Sequence, residues 1–122
     1  MRRGNGSDNQ IDYILWEFKE FPAFTEAVAE LMSDLEYAKF QSDLMLDPLA
    51  GDLIKGTGGA RKVRVGLRGV GKRGGGRVVY YYQAGNVIHL LLLYRKSVQE
   101  NLTADQARVV RAAVDWIRKG EA

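Results

Sequence analysis

Apolar and polar positions change their period three times along the chain. From Ile11 to Phe18 they alternate loosely, which predicts a first strand. Pro22 then opens a stretch in which Phe24, Val28, Leu31 and Met32 recur at near-helical spacing, and proline is well tolerated at the first helical position because its missing N–H would have no partner there. Ser33 and Glu36 frame a capping box, so a second helix begins at once, with Leu35, Ala38, Phe40, Leu44 and Met45 supplying its apolar side. Pro48 and Gly51 end that helix, and the run IKGTGG at 54–59 reads as a turn-rich connector.

From Arg61 the period is two. Val63, Val65 and Leu67 point to one face, and Lys62, Arg64 and Gly66 to the other, as in a half-buried strand. A glycine-rich loop leads to a β-branched and aromatic strand from Arg77 to Gln83. Ala84, Gly85 and Asn86 form a short hairpin connection. Val87 to Tyr94 is apolar almost throughout and is expected to be the central strand, covered on both faces. Thr103 and Gln106 frame a second capping box, after which Val109, Val110, Ala113, Val114 and Ile117 mark the buried stripe of a closing helix that ends at Gly120. The predicted order is βααβββα, an α+β arrangement without repeats or a dividing linker.

At 122 residues, with 46% hydrophobic and 27% charged positions, the chain has the size and make-up of one globular domain. Residues 1–10 are expected to be a flexible extension and residues 11–122 a single domain. The absence of cysteine excludes a disulfide frame and a thiolate metal site, and a cytoplasmic location is the simplest expectation. No apolar run is long enough to span a bilayer, and the start of the chain has no apolar segment of a secretory signal.

Charge changes the picture. Between Asp52 and Glu100 there is no acidic residue, yet that interval holds ten of the 18 lysines and arginines, leaving eight basic against 15 acidic residues elsewhere. Such segregation points to a surface that meets a polyanion, since a merely solvated face mixes both signs. The stretch GLRGVGKRGGGR at 66–77 imitates two nucleotide-binding motifs but fits neither. A phosphate-binding loop needs Ser or Thr where Arg73 stands, and both motifs need a helix where a strand follows.

Hydrolase equipment of the familiar kinds is missing. The single histidine, His89, lies inside the apolar strand and reads as a core imidazole, and the basic segment carries no carboxylates for paired-acid catalysis or Mg²⁺ binding. What remains is a sheet face with Lys62 and Arg64, joined by Arg77, with Lys72 and Arg73 on the intervening loop and Lys96 after the last strand. Such a face can simply bind phosphate. It can also cleave RNA, where a 2′-hydroxyl already lies beside its own 3′-phosphate. Arginines suit the neutralisation of a crowded phosphorane, and a lysine among other cations is driven toward the neutral form that a general base requires. The residues alone leave both readings open.

The segments GDLIKGTGGARKVRVGLRGVGKRGGGRVVYYY and LLLLYRKSVQENLT closely resemble the RelE superfamily of bacterial toxins, in particular its HigB-like branch. In that branch the blocks G-x-x-I-x-G-T-G-G-x-R-K-x-R, G-K-R-G-G-x-R-V-x-Y-Y and L-x-x-Y-x-K-x-x-x-x-D-L-T recur in this order. The resemblance is dense from Gly51 to Thr103. It implies a small twisted antiparallel sheet packed with helices. It also implies the toxin of a type II toxin–antitoxin system, an mRNA interferase that needs no cofactor or metal and cuts mRNA in the ribosomal A site, inhibiting translation. The implied partners are the ribosome, mRNA and a cognate antitoxin, a small helix-turn-helix protein through which alone DNA would be contacted; no membrane is involved. Position by position, Lys62 and Arg64 fall on the paired basic residues of the active strand, Arg77 on the arginine that contacts the scissile phosphate, and Lys96 in the cationic cluster after the last strand. RelE itself uses a C-terminal tyrosine that SVQENL lacks, so Tyr94 or Tyr81 stands in for it. The base is left between Lys62 and Lys96, with Lys72 behind them. Arg61, Arg68, Lys72, Arg73 and Arg95 are expected to hold RNA or the ribosome. A toxin relative that binds without cutting is the alternative; a DNA-binding repressor subunit is weaker, because no helix carries the basic residues.

Overall fold

The computed structural model describes residues 15–71 and 75–120. Its elements are β1 (Glu17–Glu20), α1 (Pro22–Leu31), α2 (Asp34–Leu46), β2 (Asp52–Leu53), β3 (Arg61–Val65), β4 (Gly76–Gln83), β5 (Val87–Arg95) and α3 (Ala104–Arg118). The five strands form one sheet in the order β1-β5-β4-β3-β2. The α+β class and the predicted order hold, with the two-residue β2 as an addition. Lys72 and Arg73 lie outside the described residues, as do positions 11–14 of the expected first strand and the N-terminal extension. Among the described residues no helix is long and apolar enough to cross a membrane.

Two expectations about the sheet are corrected. It is mixed rather than wholly antiparallel, because β1 runs parallel to β5, with Phe18 beside Ile88. Two helices and three strands separate them in sequence, and such an excursion is what a parallel pairing requires. The central strand is β4, not β5, which lies between β4 and β1. An apolar run shows that a strand is covered on both faces, as β5 is; it does not say how many strands lie beyond it.

Alternation along β4 divides the core in two. Val78 and Tyr80 turn toward Phe24, Val28, Phe40 and Leu44 of the first two helices, while Val79 packs with Val110, Val114 and Ile117 of α3. The β4–β5 register shifts between Val79 and Tyr80, where Val79 opposes Leu92 but Tyr80 opposes Leu90. The extra residue is Leu91, which joins the α3 side of the core. Bulges of this kind re-aim the residues beyond them, and here Tyr94 lands opposite Arg77.

Both capping boxes form. The Glu36 N–H donates to Ser33 Oγ and the Ser33 N–H to Glu36 Oε1, and Thr103 and Gln106 repeat the exchange at α3. The predicted stripes are only partly right. Phe40 and Leu44 are buried, but Leu35 is 81% exposed, since five residues before Phe40 is about 140° away around a helix. Ala38 is exposed too. Val109 is likewise exposed, one step off the line of Val110, Val114 and Ile117.

Tyr80 ties the sheet to the end of α2. Its ring is fully buried, its hydroxyl accepts from the Gly51 N–H at 3.0 Å and donates to the Pro48 carbonyl at 2.8 Å, and burial raises its pKa. Removing the hydroxyl leaves two backbone groups without this partner, so Tyr80→Phe is expected to cost about 1–3 kcal/mol. Urea denaturation should show a lower midpoint with unchanged slope; an unchanged midpoint would remove this tie.

His89 is a core imidazole, as expected. It is fully buried, with Nε2 at 2.8 Å from Gln83 Oε1 and Nδ1 without a protein partner. Burial lowers its pKa, helped by Lys19 on β1 and opposed by Glu17. The unfolded histidine takes up a proton near 6.5 while the folded one resists it. The unfolded state therefore binds more protons below that pH, and stability present above it declines as the pH falls. The urea midpoint should fall between about pH 7.5 and 5.5, and His89→Gln should flatten that fall. Equal pH dependence in the two proteins would contradict the assignment.

Candidate functional site

The site grows out of strand register. On β3, Lys62 and Arg64 share one face. Arg64 lies opposite Arg77 on β4, and Arg77 opposite Tyr94 on β5, so the three form a row across the sheet. The neighbouring row is Lys62, Val79 and Leu92. Val79 and Leu92 belong to the core under α3. The cationic row thus borders the patch that the closing helix covers.

Two arginines directly opposite one another on adjacent strands repel. The structure relieves this unequally. Arg64 is exposed, whereas Arg77 is 4% exposed. The Arg77 guanidinium donates from Nη1 to the Gly76 carbonyl at 3.0 Å, and Nη2 lies 3.4 Å from Oε2 of Glu100. A buried guanidinium needs such an opposite charge, because desolvation of a lone ion is costly. Arg77, expected at the scissile phosphate, thus also has a partner within the protein.

Glu100 and its neighbour also bind Lys62 and Tyr94. Lys62 Nζ donates to Asn101 Oδ1 at 2.9 Å and to the Glu100 carbonyl at 3.3 Å. The Tyr94 hydroxyl donates to the same carbonyl at 3.4 Å. Burial raises the pKa of Tyr94, with Arg77 opposing, so its hydroxyl is a donor at neutral pH. Lys62, Arg64, Arg77 and Tyr94 are thus brought together, and Glu100 and Asn101 are the members that sequence reasoning missed. Glu100 left one trace there: it is the residue that ends the acid-free stretch.

Other expected members go elsewhere. Arg61 lies opposite Tyr80, on the α1–α2 side of the sheet, and holds the carbonyls of Leu49 and Gly51. Arg68 docks on the end of α1, donating to the Met32 carbonyl from its side chain and to the Leu31 carbonyl from its backbone. Arg95 sits opposite Gly76, one step along from the Arg77–Tyr94 pair, so alternation puts it on the other face. Lys96 is exposed just beyond β5, its N–H bonded to the Gly75 carbonyl. Tyr81 packs with the α3 core near His89. A groove of about 440 Å³ between α2 and the β3 edge is lined by Arg64 but by none of Lys62, Arg77 or Tyr94, so it meets the cluster at Arg64 alone.

The glycine run also acquires a structural role. A Cβ on Gly75 would lie 2.4 Å from the Val65 carbonyl oxygen, and one on Gly76 would lie 2.8 Å from that of Tyr94. These glycines let β3 and β5 close on the start of β4, and a strand follows them where a nucleotide site would need a helix.

The result is a small basic α+β domain with a cationic row beside its closing helix. A family model described as the RelE toxin of the RelE / RelB toxin-antitoxin system matches residues 25–120, from α1 through α3. The chain belongs to this family. It is accordingly a toxin of a toxin–antitoxin system, and membership implies a cognate antitoxin as its partner.

The geometry separates the two paired arginines by stability. Arg77→Ala removes a buried guanidinium and its packing and is expected to cost about 1–3 kcal/mol, whereas exposed Arg64→Ala should stay within about 0.5 kcal/mol. Matched urea curves check this, and equal midpoints would show that Arg77 is not held as described.

Proposed function

We propose that this toxin is a cytoplasmic, ribosome-dependent mRNA endoribonuclease of the HigB-like branch, leaving 2′,3′-cyclic phosphate and 5′-hydroxyl ends and so inhibiting translation. The observation that supports it is the row of Arg64, Arg77 and Tyr94 with Lys62 alongside, four donors gathered from three strands on one face. Strands hold side chains closely enough for chemistry, which a merely sticky basic loop does not.

Roles follow from exposure and hydrogen bonding. Arg64 is the exposed guanidinium of the row and takes the scissile phosphate, by the bidentate contacts that suit arginine. Arg77 stands behind it as a buried source of positive field. Lys62, donating to Glu100 and Asn101, is an ammonium placed to protonate the departing 5′-oxygen. Tyr94 adds a protonated hydroxyl beside it. Lys96, together with Lys72 and Arg73 of the glycine-rich stretch, meets the nucleic-acid backbone, where contacts position without reading sequence.

Single-turnover cleavage on programmed ribosomes, measured beside ribosome binding at several salt concentrations, tests this division. Neutralising Lys72 and Arg73 should weaken binding and reduce its salt slope by roughly 0.7–0.9 for each phosphate that is no longer paired, with cleavage by the bound fraction near normal. Lys62→Ala should keep affinity within about threefold and slow cleavage on the order of a hundredfold. Intact mRNA with wild-type toxin would favour a binder that does not cut. A loop variant that binds normally but cannot cut would place the loop in the active site.

A further inference from the structure

We infer that Glu100 is the general base of the cleavage reaction, an inference that rests on the ribonuclease reading of the same cluster. Among the described residues it is the carboxylate that pairs with the row: Oε2 lies 3.4 Å from Arg77 Nη2, and its side chain is 52% exposed while that of Arg77 is 5% exposed. One side of the carboxylate is therefore fixed by a buried cation, and the other faces the solvent from which RNA arrives. The backbone holds the residue in place as well, since the Glu100 carbonyl accepts from both Lys62 and Tyr94. A carboxylate is an acceptor only, whereas Arg77 beside it, and Lys62 and the Tyr94 hydroxyl on its backbone carbonyl, present donors.

The step balances with groups of the cluster alone. The Glu100 carboxylate takes the proton of the 2′-hydroxyl as O2′ bonds to phosphorus. The bond from phosphorus to O5′ breaks, and O5′ leaves as a hydroxyl with a proton from the Lys62 ammonium. Arg64 neutralises the phosphorane oxygens between these events. Glu100 and Lys62 then exchange protons with water and return to their starting forms. Arg77 is a positioning residue in this scheme, acting through the carboxylate it holds.

The test is single-turnover cleavage by the full-length toxin on programmed ribosomes, with ribosome binding measured in parallel. E100Q keeps the shape and removes the base; it should slow cleavage on the order of a hundredfold or more while affinity changes by less than about threefold, and E100D should restore part of the rate. In the wild type, the rate should be level between about pH 6.5 and 8.5, because a carboxylate is already ionised there. That profile needs no variant to fold. A rate rising about tenfold per pH unit across the same range would assign the base to a lysine and overturn the inference. Tighter ribosome binding by E100Q with an undiminished rate would also overturn it, showing a carboxylate that only competes with phosphate for Arg77. Wild-type toxin that leaves mRNA intact would overturn the ribonuclease reading itself, a failure distinct from a cleaving toxin indifferent to E100Q.

Discussion

A guanidinium on the central strand of the sheet must be neutralised where it stands. Arg77 is almost wholly buried on β4 and faces a second arginine across the β3–β4 ladder. Neither arrangement is favourable alone, because burial penalises the ion and like charges on facing strands repel. Glu100 resolves both, and it comes from the segment between β5 and α3. That segment goes on to the capping box that starts α3, whose apolar stripe covers the neighbouring part of the same face. The ion pair therefore links the cationic row to the placement of the closing helix. It also explains how the row survives beside a dry core: Val79 lies under α3, while Lys62, in the same cross-strand row, reaches out to Asn101.

Local chemistry was legible in the sequence wherever the partners are close along the chain. The two capping boxes join residues three apart, and both formed as expected. The Ala84–Asn86 connection was likewise readable, because Gly85 and Asn86 adopt the positive φ values, 97° and 65°, that such a turn requires. Alternation also put Lys62 and Arg64 together on one face. What the sequence did not disclose were relations between distant segments. The parallel pairing of β1 with β5, the central place of β4 and the bulge that brings Tyr94 opposite Arg77 all depend on which strand lies beside which. Periodicity within a strand is silent on that.

The same limit governed the charges. Ten cations in an acid-free stretch mark a basic surface, yet composition does not tell a cation that meets solvent from one that meets a carbonyl. Arg61 holds Leu49 and Gly51, fastening that loop to β3, and Arg68, beyond the end of β3, holds Met32 at the end of α1. Arg95 went to the opposite face for a simpler reason, since it is one residue from Tyr94. The acid-free stretch ends at the one carboxylate that matters to it, since Glu100 closes on Arg77.

The central claim is that Arg77 and Glu100 are energetically coupled and hold the cluster as a unit. A double-mutant cycle measures this directly, comparing urea stabilities of the wild type, Arg77→Met, Glu100→Gln and the double variant. Methionine retains much of the packing of the arginine stem without its charge. Coupling through the ion pair predicts that the double variant loses less stability than the two single variants together, by more than about 0.5 kcal/mol, because a charge left without its partner is worse than neither. Single effects that add within about 0.5 kcal/mol would contradict the account.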